Sequence, residues 1–119
     1  MAYDDSGNLQ NSLSASLATG TLNDLGRTTF VGYISGSTNR LILTPAVGGT
    51  TITGIDASGC SDGFSLLLVN NSATDSVSIS HQTGSLVGNQ FTAPQGATYT
   101  LLPLTAVRVV YVVSKWVFT

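Results

Sequence analysis

Val107-Arg108-Val109-Val110-Tyr111-Val112-Val113 decides the class of this chain. All of these residues except Arg108 are β-branched or aromatic, the types that suit a pleated strand. Alternation places Val107, Val109, Tyr111 and Val113 on one face and Arg108, Val110 and Val112 on the other. Both faces are mostly apolar, so covering one sheet face does not account for the segment. Left at an open edge it would invite aggregation. The segment is therefore a central strand, or one of its faces meets a neighbouring subunit.

The same reading extends in both directions. Downstream, Lys115–Phe118 closes the chain as a last strand. Upstream lie Thr98–Leu102, Phe91, and Val77 and Ile79 alternating with Ser76, Ser78 and Ser80. Leu66-Leu67-Leu68-Val69, within Phe64–Asn70, is a continuous apolar run of the kind found in a strand buried on both faces. Thr50–Ile55, Arg40–Thr44 and Thr28–Ile34 complete the series. Turn signals recur at Gly48-Gly49, Ser61-Asp62-Gly63, Asn70-Asn71, Gly84 and Pro94-Gln95-Gly96. Short strands punctuated this regularly predict an all-β chain, an antiparallel β-sandwich or jelly-roll-like domain over 27–119.

Residues 1–26 differ. They hold half of the Asp residues, no Val or Ile, and much Ser, Asn and Gly. Leu9, Leu13 and Leu17 recur every four residues, the spacing of one helical face, with Asp5 or Ser6 as cap and Gly20 as stop. Ser and Asn are poor helix formers, and so short a helix is marginal in water on its own. The expectation is an N-terminal arm, extended or a short helix, that orders against a partner through Leu9, Leu13, Leu17, Leu22 and Leu25.

Composition narrows the function. At 119 residues the chain can bury a core without staples. Charged residues are only 8% of it, against about 25% in an ordinary soluble domain. Surface charge keeps monomers dispersed, so its scarcity predicts a surface covered by other subunits. A net charge of −2, with Arg27, Arg40, Arg108 and Lys115 scattered, excludes a phosphate-binding patch, hence no nucleic acid. No apolar run approaches the roughly 18–20 residues that span a bilayer, and the first residues lack a basic and apolar leader, so neither membrane nor signal peptide is expected.

Chemistry-bearing side chains are sparse. His81 is the only imidazole, and Ser80 beside it points to the opposite side of a strand. Cys60 sits in a turn-rich loop flanked by Asp56 and Asp62. Two carboxylates fall short of the set Ca²⁺ usually recruits, and turn chemistry explains both. Asp4-Asp5 is read as a solvated terminus, and Asn70-Asn71-Ser72 matches a glycosylation sequon without other signs of a secretory route. Trp116, the only Trp, falls in the last strand as a core or interface anchor rather than a sugar platform. No catalytic residue, metal or cofactor is expected. Val107, Val109, Tyr111, Val113 and Trp116 are expected at the subunit interface or in the core.

Leu41-Ile42-Leu43-Thr44-Pro45, Thr51-Ile52-Thr53-Gly54-Ile55, Gly63, Leu66–Asn70, Val77-Ser78-Ile79, Phe91, Pro94, Thr100-Leu101, Val107, Val109, Tyr111 and Trp116 follow one another in an order and spacing that resembles a small β domain of tailed-bacteriophage virion proteins. Such domains occur in capsid decoration (cement), head-fibre and tail-fibre proteins. The pattern departs at Gln90, where a basic residue often stands, and leaves the first 40 residues uncovered. The resemblance implies a non-enzymatic homotrimer at the virion capsid surface, binding the major capsid protein and stabilising the head. Its alternative is a tail-fibre, receptor-binding or carbohydrate-binding module with host-surface glycans as partners. The loops Ala46–Thr50, Ala57–Gly63 and Gln82–Gly88 would then make contact.

Overall fold

The computed structural model describes residues 2–3 and 9–119. The strands are β1 (Ala2–Tyr3), β2 (Leu9–Gln10), β3 (Ser12–Ser16), β4 (Gly20–Leu22), β5 (Arg40–Thr44) and β6 (Thr50–Ile52). They continue as β7 (Ser65–Asn70), β8 (Val77–Ile79), β9 (Phe91–Thr92), β10 (Tyr99–Leu101), β11 (Ala106–Val112) and β12 (Lys115–Phe118). Among the described residues the only helices are two single 3₁₀ turns, at Val87–Asn89 and Pro94–Gly96. The all-β expectation therefore holds.

The direction of the strands is a different matter. β3, β5 and β7 lie side by side in parallel register, with Leu13 beside Leu41 and Leu41 beside Leu68. β4, β6 and β8 do the same on the opposite side, where Leu22, Ile52 and Ile79 line up. The chain thus winds through three coils, each giving one strand to each sheet. Equivalent positions recur 28 residues apart from Ser12 to Arg40 and 27 apart from Arg40 to Leu67. This is a β-solenoid, not an antiparallel sandwich or jelly roll. Period-two alternation assigns a residue to a face but says nothing of direction. Only the long connections, which let the chain return to the same edge, make parallel pairing possible.

The third coil is closed by antiparallel strands. β11 pairs with β7, and β12 with β11, with Val109 opposite Leu66 and Tyr111 opposite Trp116. β9 then runs parallel to β12, completing a six-stranded sheet in the order β3-β5-β7-β11-β12-β9. β10 pairs antiparallel with β8 and completes a four-stranded sheet, β10-β8-β6-β4. β1 and β2 form a separate antiparallel pair.

Between the sheets sits one core. Leu41, Leu43, Leu66, Leu68 and Val109 come from the larger sheet, and Ile52, Val77, Ile79 and Leu101 from the smaller; all are fully buried. Burying such side chains stabilises the fold by about 1.5–3 kcal/mol each, measured against exposure. Leu25, Ile55, Phe30, Tyr33, Phe91 and Trp116 are also buried and belong to the same core. Asn70 is buried too, and its polar atoms are satisfied: Nδ2 donates to the carbonyls of Asp75 and Leu101, and Oδ1 accepts from the Ser72 N–H. That accounts for Asn70-Asn71-Ser72 as a corner rather than a modification site.

Two local expectations are corrected. From Ser12 onward the expected arm is the first coil: Leu17 and Leu25 are buried, and Leu13 and Leu22 pack half-buried against the core. Residues four apart share a face in a strand as well as on a helix, and β3 takes the strand option because β5 offers it a ladder. Leu9 lies in β2, described for its backbone alone, and Asp5 and Ser6 lie outside the described residues. Thr28–Ile34 is a run of turns, in which the Gly26 carbonyl accepts from the N–H groups of Thr29 and Phe30. Its aromatic residues Phe30 and Tyr33 are buried instead as plugs. The loops of coils one and two meet so closely that a Cβ on Gly36 would stand 2.2 Å from the Gly59 carbonyl oxygen. Only glycine fits there.

Candidate functional site

The reactive side chains are occupied by structure. His81 Nδ1 accepts a hydrogen bond from the Ala93 N–H at 3.1 Å. Asp56 Oδ1 accepts from the Ser58 N–H within its own turn, and Asp62 Oδ1 from the Val113 N–H of the β11–β12 turn. The half-buried Cys60 thiol lies 3.6 Å from Ser35 Oγ, and burial raises its pKa, which disfavours the nucleophilic thiolate. Tyr33 donates to the Asp56 carbonyl, and burial likewise pushes its phenol well above the usual range. Among the described residues no three His, Cys, Asp or Glu side chains gather as metal ligands. Asp4 and Asp5 lie outside them.

The residues expected at an interface or in the core share the inward face of β11 and β12, except Val113, which lies in the turn between them. Val109 and Trp116 are fully buried, and the Trp116 indole N–H donates to the Ile55 carbonyl at 3.0 Å. Tyr111 and Phe64 meet its ring edge-on, with centroids 5.1 and 6.3 Å away. Trp116 is therefore not a sugar platform. Val107 and Tyr111 are partly buried against the same core, whereas Val113 is 78% exposed at the hairpin turn. Of the arm residues, Leu13, Leu17, Leu22 and Leu25 are committed to the first coil as described.

The faces turned outward hold what that list missed. On the larger sheet, Ile42, Val69 and Ala106 form one row across β5, β7 and β11. Leu67 lies between Arg40 and Arg108 in the next, and Val110 sits beside Val117 in a third. Val112 ends the patch at 38% exposure, and Ile42, Leu67, Val69, Val110 and Val117 are each half-buried. The two arginines lie along the sheet. Arg40 Nε donates to Ser12 Oγ at 2.9 Å and Arg108 Nη1 to Ser65 Oγ at 2.8 Å. Neither has a carboxylate partner among the described residues. Contiguous apolar faces on folded proteins are often interaction sites. The signal was present in the sequence, as apolar residues at both parities of Leu66–Val69 and Val107–Val113.

On the smaller sheet the outward row is Thr21, Thr51, Ser78 and Thr100, one from each strand and in register. Two surfaces of opposite chemistry thus lie back to back across one core. Comparison with known proteins gave no match to a family model, to a curated protein or to a solved structure.

Proposed function

We propose that this chain is a non-enzymatic structural protein of a tailed-phage virion, a homotrimeric capsid decoration protein whose subunits meet through the outer face of the six-stranded sheet. The observation that carries this reading is the Ile42, Leu67, Val69, Val110, Val112 and Val117 patch. A face this apolar gains by being taken out of water, at about 25 cal/mol for each Å² covered. Three such faces turned toward a common axis would bury it symmetrically. The order of motifs over residues 41–119 supports the virion assignment, and the low charge supports a surface shared with neighbours. Since Leu13, Leu17, Leu22 and Leu25 are spent on the core, the major capsid protein is met by other surfaces.

A second reading, a tail-associated receptor-binding module, draws on the apolar tips Val47, Leu102 and Leu104. These stand exposed on the corner turns where β5 leads to β6 and β10 to β11. Quantitative mass spectrometry of particles against the major capsid protein separates the two. One copy per few capsid subunits supports decoration, and a few to a few dozen per particle supports the tail. A native mass of one subunit, with the chain absent from particles, would overturn both.

A further inference from the structure

The first coil leaves one edge of the six-stranded sheet open. β3 is the end strand of that sheet, with β5 on one side and no strand on the other among the described residues. The Leu17 N–H donates to the Thr44 carbonyl, and the Asn11 carbonyl accepts from the Asn39 N–H. Odd-numbered positions therefore turn their backbone groups toward β5, and the alternation of a strand turns those of Ser12, Ser14 and Ser16 outward. Unpaired groups in a row are a template for another strand, and folded proteins usually block such an edge with charge, proline, a bulge or brevity. β3 has none of these. It is five residues long, Ser14 and Ser16 are exposed, its register with β5 is unbroken, and no charged residue occurs from Ser6 to Asn23. The far edge of the same sheet differs, since β9 has only two residues.

The sequence of β3 also says which strand fits. Ser12-Leu13-Ser14-Ala15-Ser16 has the same pattern of serine and apolar residue in either direction from Ser14. In an antiparallel pair centred there, Ser14 meets its own counterpart and Ser12 meets Ser16. These are the positions whose backbone groups face outward, so each such pair exchanges two hydrogen bonds. Leu13 falls opposite Ala15, a large side chain against a small one, where the side chains of non-bonded pairs stand closest. Both pack against the core and are only half-buried. A second copy in this register would cover them, and its β3 brings no charge.

From this we infer that β3 is a strand-pairing edge whose partner is β3 of a second copy, related by a two-fold axis that passes between the two Ser14 residues. The six-stranded sheet then continues across the axis into its twin. This contact is separate from the outer sheet face and does not rest on the virion reading. A single short strand covers less than the roughly 1,000 Å² of a stable complex, so the contact is weak. With a Kd of roughly 0.1–1 mM, it forms at about 1 mM and comes apart at the roughly 10 µM of a native mass measurement.

The test is sedimentation equilibrium of Val110→Asp, in which a carboxylate blocks the outer face, over roughly 10 µM to 1 mM. Weight-average mass should rise with concentration toward twice its dilute value. Hydrogen exchange of the Ser14 and Ser16 amides should slow several-fold over the same range. Ser14→Lys and Ser14→Glu, each added to that background, should hold the mass at its dilute value, because like charges then stand opposite each other. An equal mixture of the two should restore the rise, which requires a register that sets residue 14 against itself. Thr100→Lys, at the opposite edge of the smaller sheet, should leave the rise intact. A mass independent of concentration would overturn the inference. So would association of Ser14→Lys alone, or an equal mixture that stays dissociated.

Discussion

The two outward faces are made by the same three coils, yet one is apolar with two arginines and the other is a row of hydroxyls. At matched places in the winding, Ile42 and Val69 face outward from the larger sheet and Thr51 and Ser78 from the smaller. Both faces cover the same core, so core packing does not dictate the difference. The scarcity of charge is likewise not one property of the surface but two. On one side it leaves an apolar face, on the other a polar surface without fixed ions.

The largest effect should come from deleting residues 1–26, which removes the first coil from beneath both faces. Leu17 and Leu25 are buried and their loss would cost about 2–5 kcal/mol each, a large part of the roughly 5–15 kcal/mol of a whole domain. The truncated chain should show no cooperative thermal transition by circular dichroism. A folded product would show that coils two and three stand alone.

Adjacent valines sharpen the contrast between inside and outside. Val109→Asp places a carboxylate in the core and should cost several kcal/mol, enough to abolish the folded state. Val110→Asp, one residue on and facing outward, should alter stability by less than about 1 kcal/mol while reducing the native mass to that of one subunit. If the native mass of folded Val110→Asp is unchanged, the apolar face is not the subunit contact.

The smallest effect concerns the plug of the core and appears only in alkali. In the unfolded chain the Tyr33 phenol ionises near the ordinary value of about 10. Burial raises its folded pKa, so above that pH the unfolded chain sheds the proton first. Stability present below pH 10 should therefore fall above it, by at most about 1.4 kcal/mol per pH unit. Tyr33→Phe should flatten this slope in a series of thermal melts, and an unchanged slope would assign the alkaline loss to another group.

How much of this was legible beforehand depends on the kind of information. Strands β5 to β8 and β10 to β12 were readable because β-branched residues and period-two alternation are local properties. Winding was not, since Leu13, Leu17 and the serines between them fit a helix face and a strand equally well. The partner that decides, β5, lies 28 residues away, from Ser12 to Arg40. Phe30 and Tyr33 misled in another way, because their β propensity says nothing about use as plugs in a turn. The outer apolar patch was visible as excess hydrophobicity, but its membership was not. Val109 and Val110 differ only in parity, and parity needs the sheet.

The clasp of Trp116 on the Ile55 carbonyl has a consequence for synthesis. Chains leave the ribosome from the N-terminus, and this bond joins the second coil to a residue made 61 positions later. Until then β7 has β5 on one side and nothing on the other, an open ladder offered to any nascent neighbour. β11 and β12 are made only after β7. Crowded translation of many copies is thus a moment of exposure, and the speed with which β11 and β12 emerge and dock bears directly on yield.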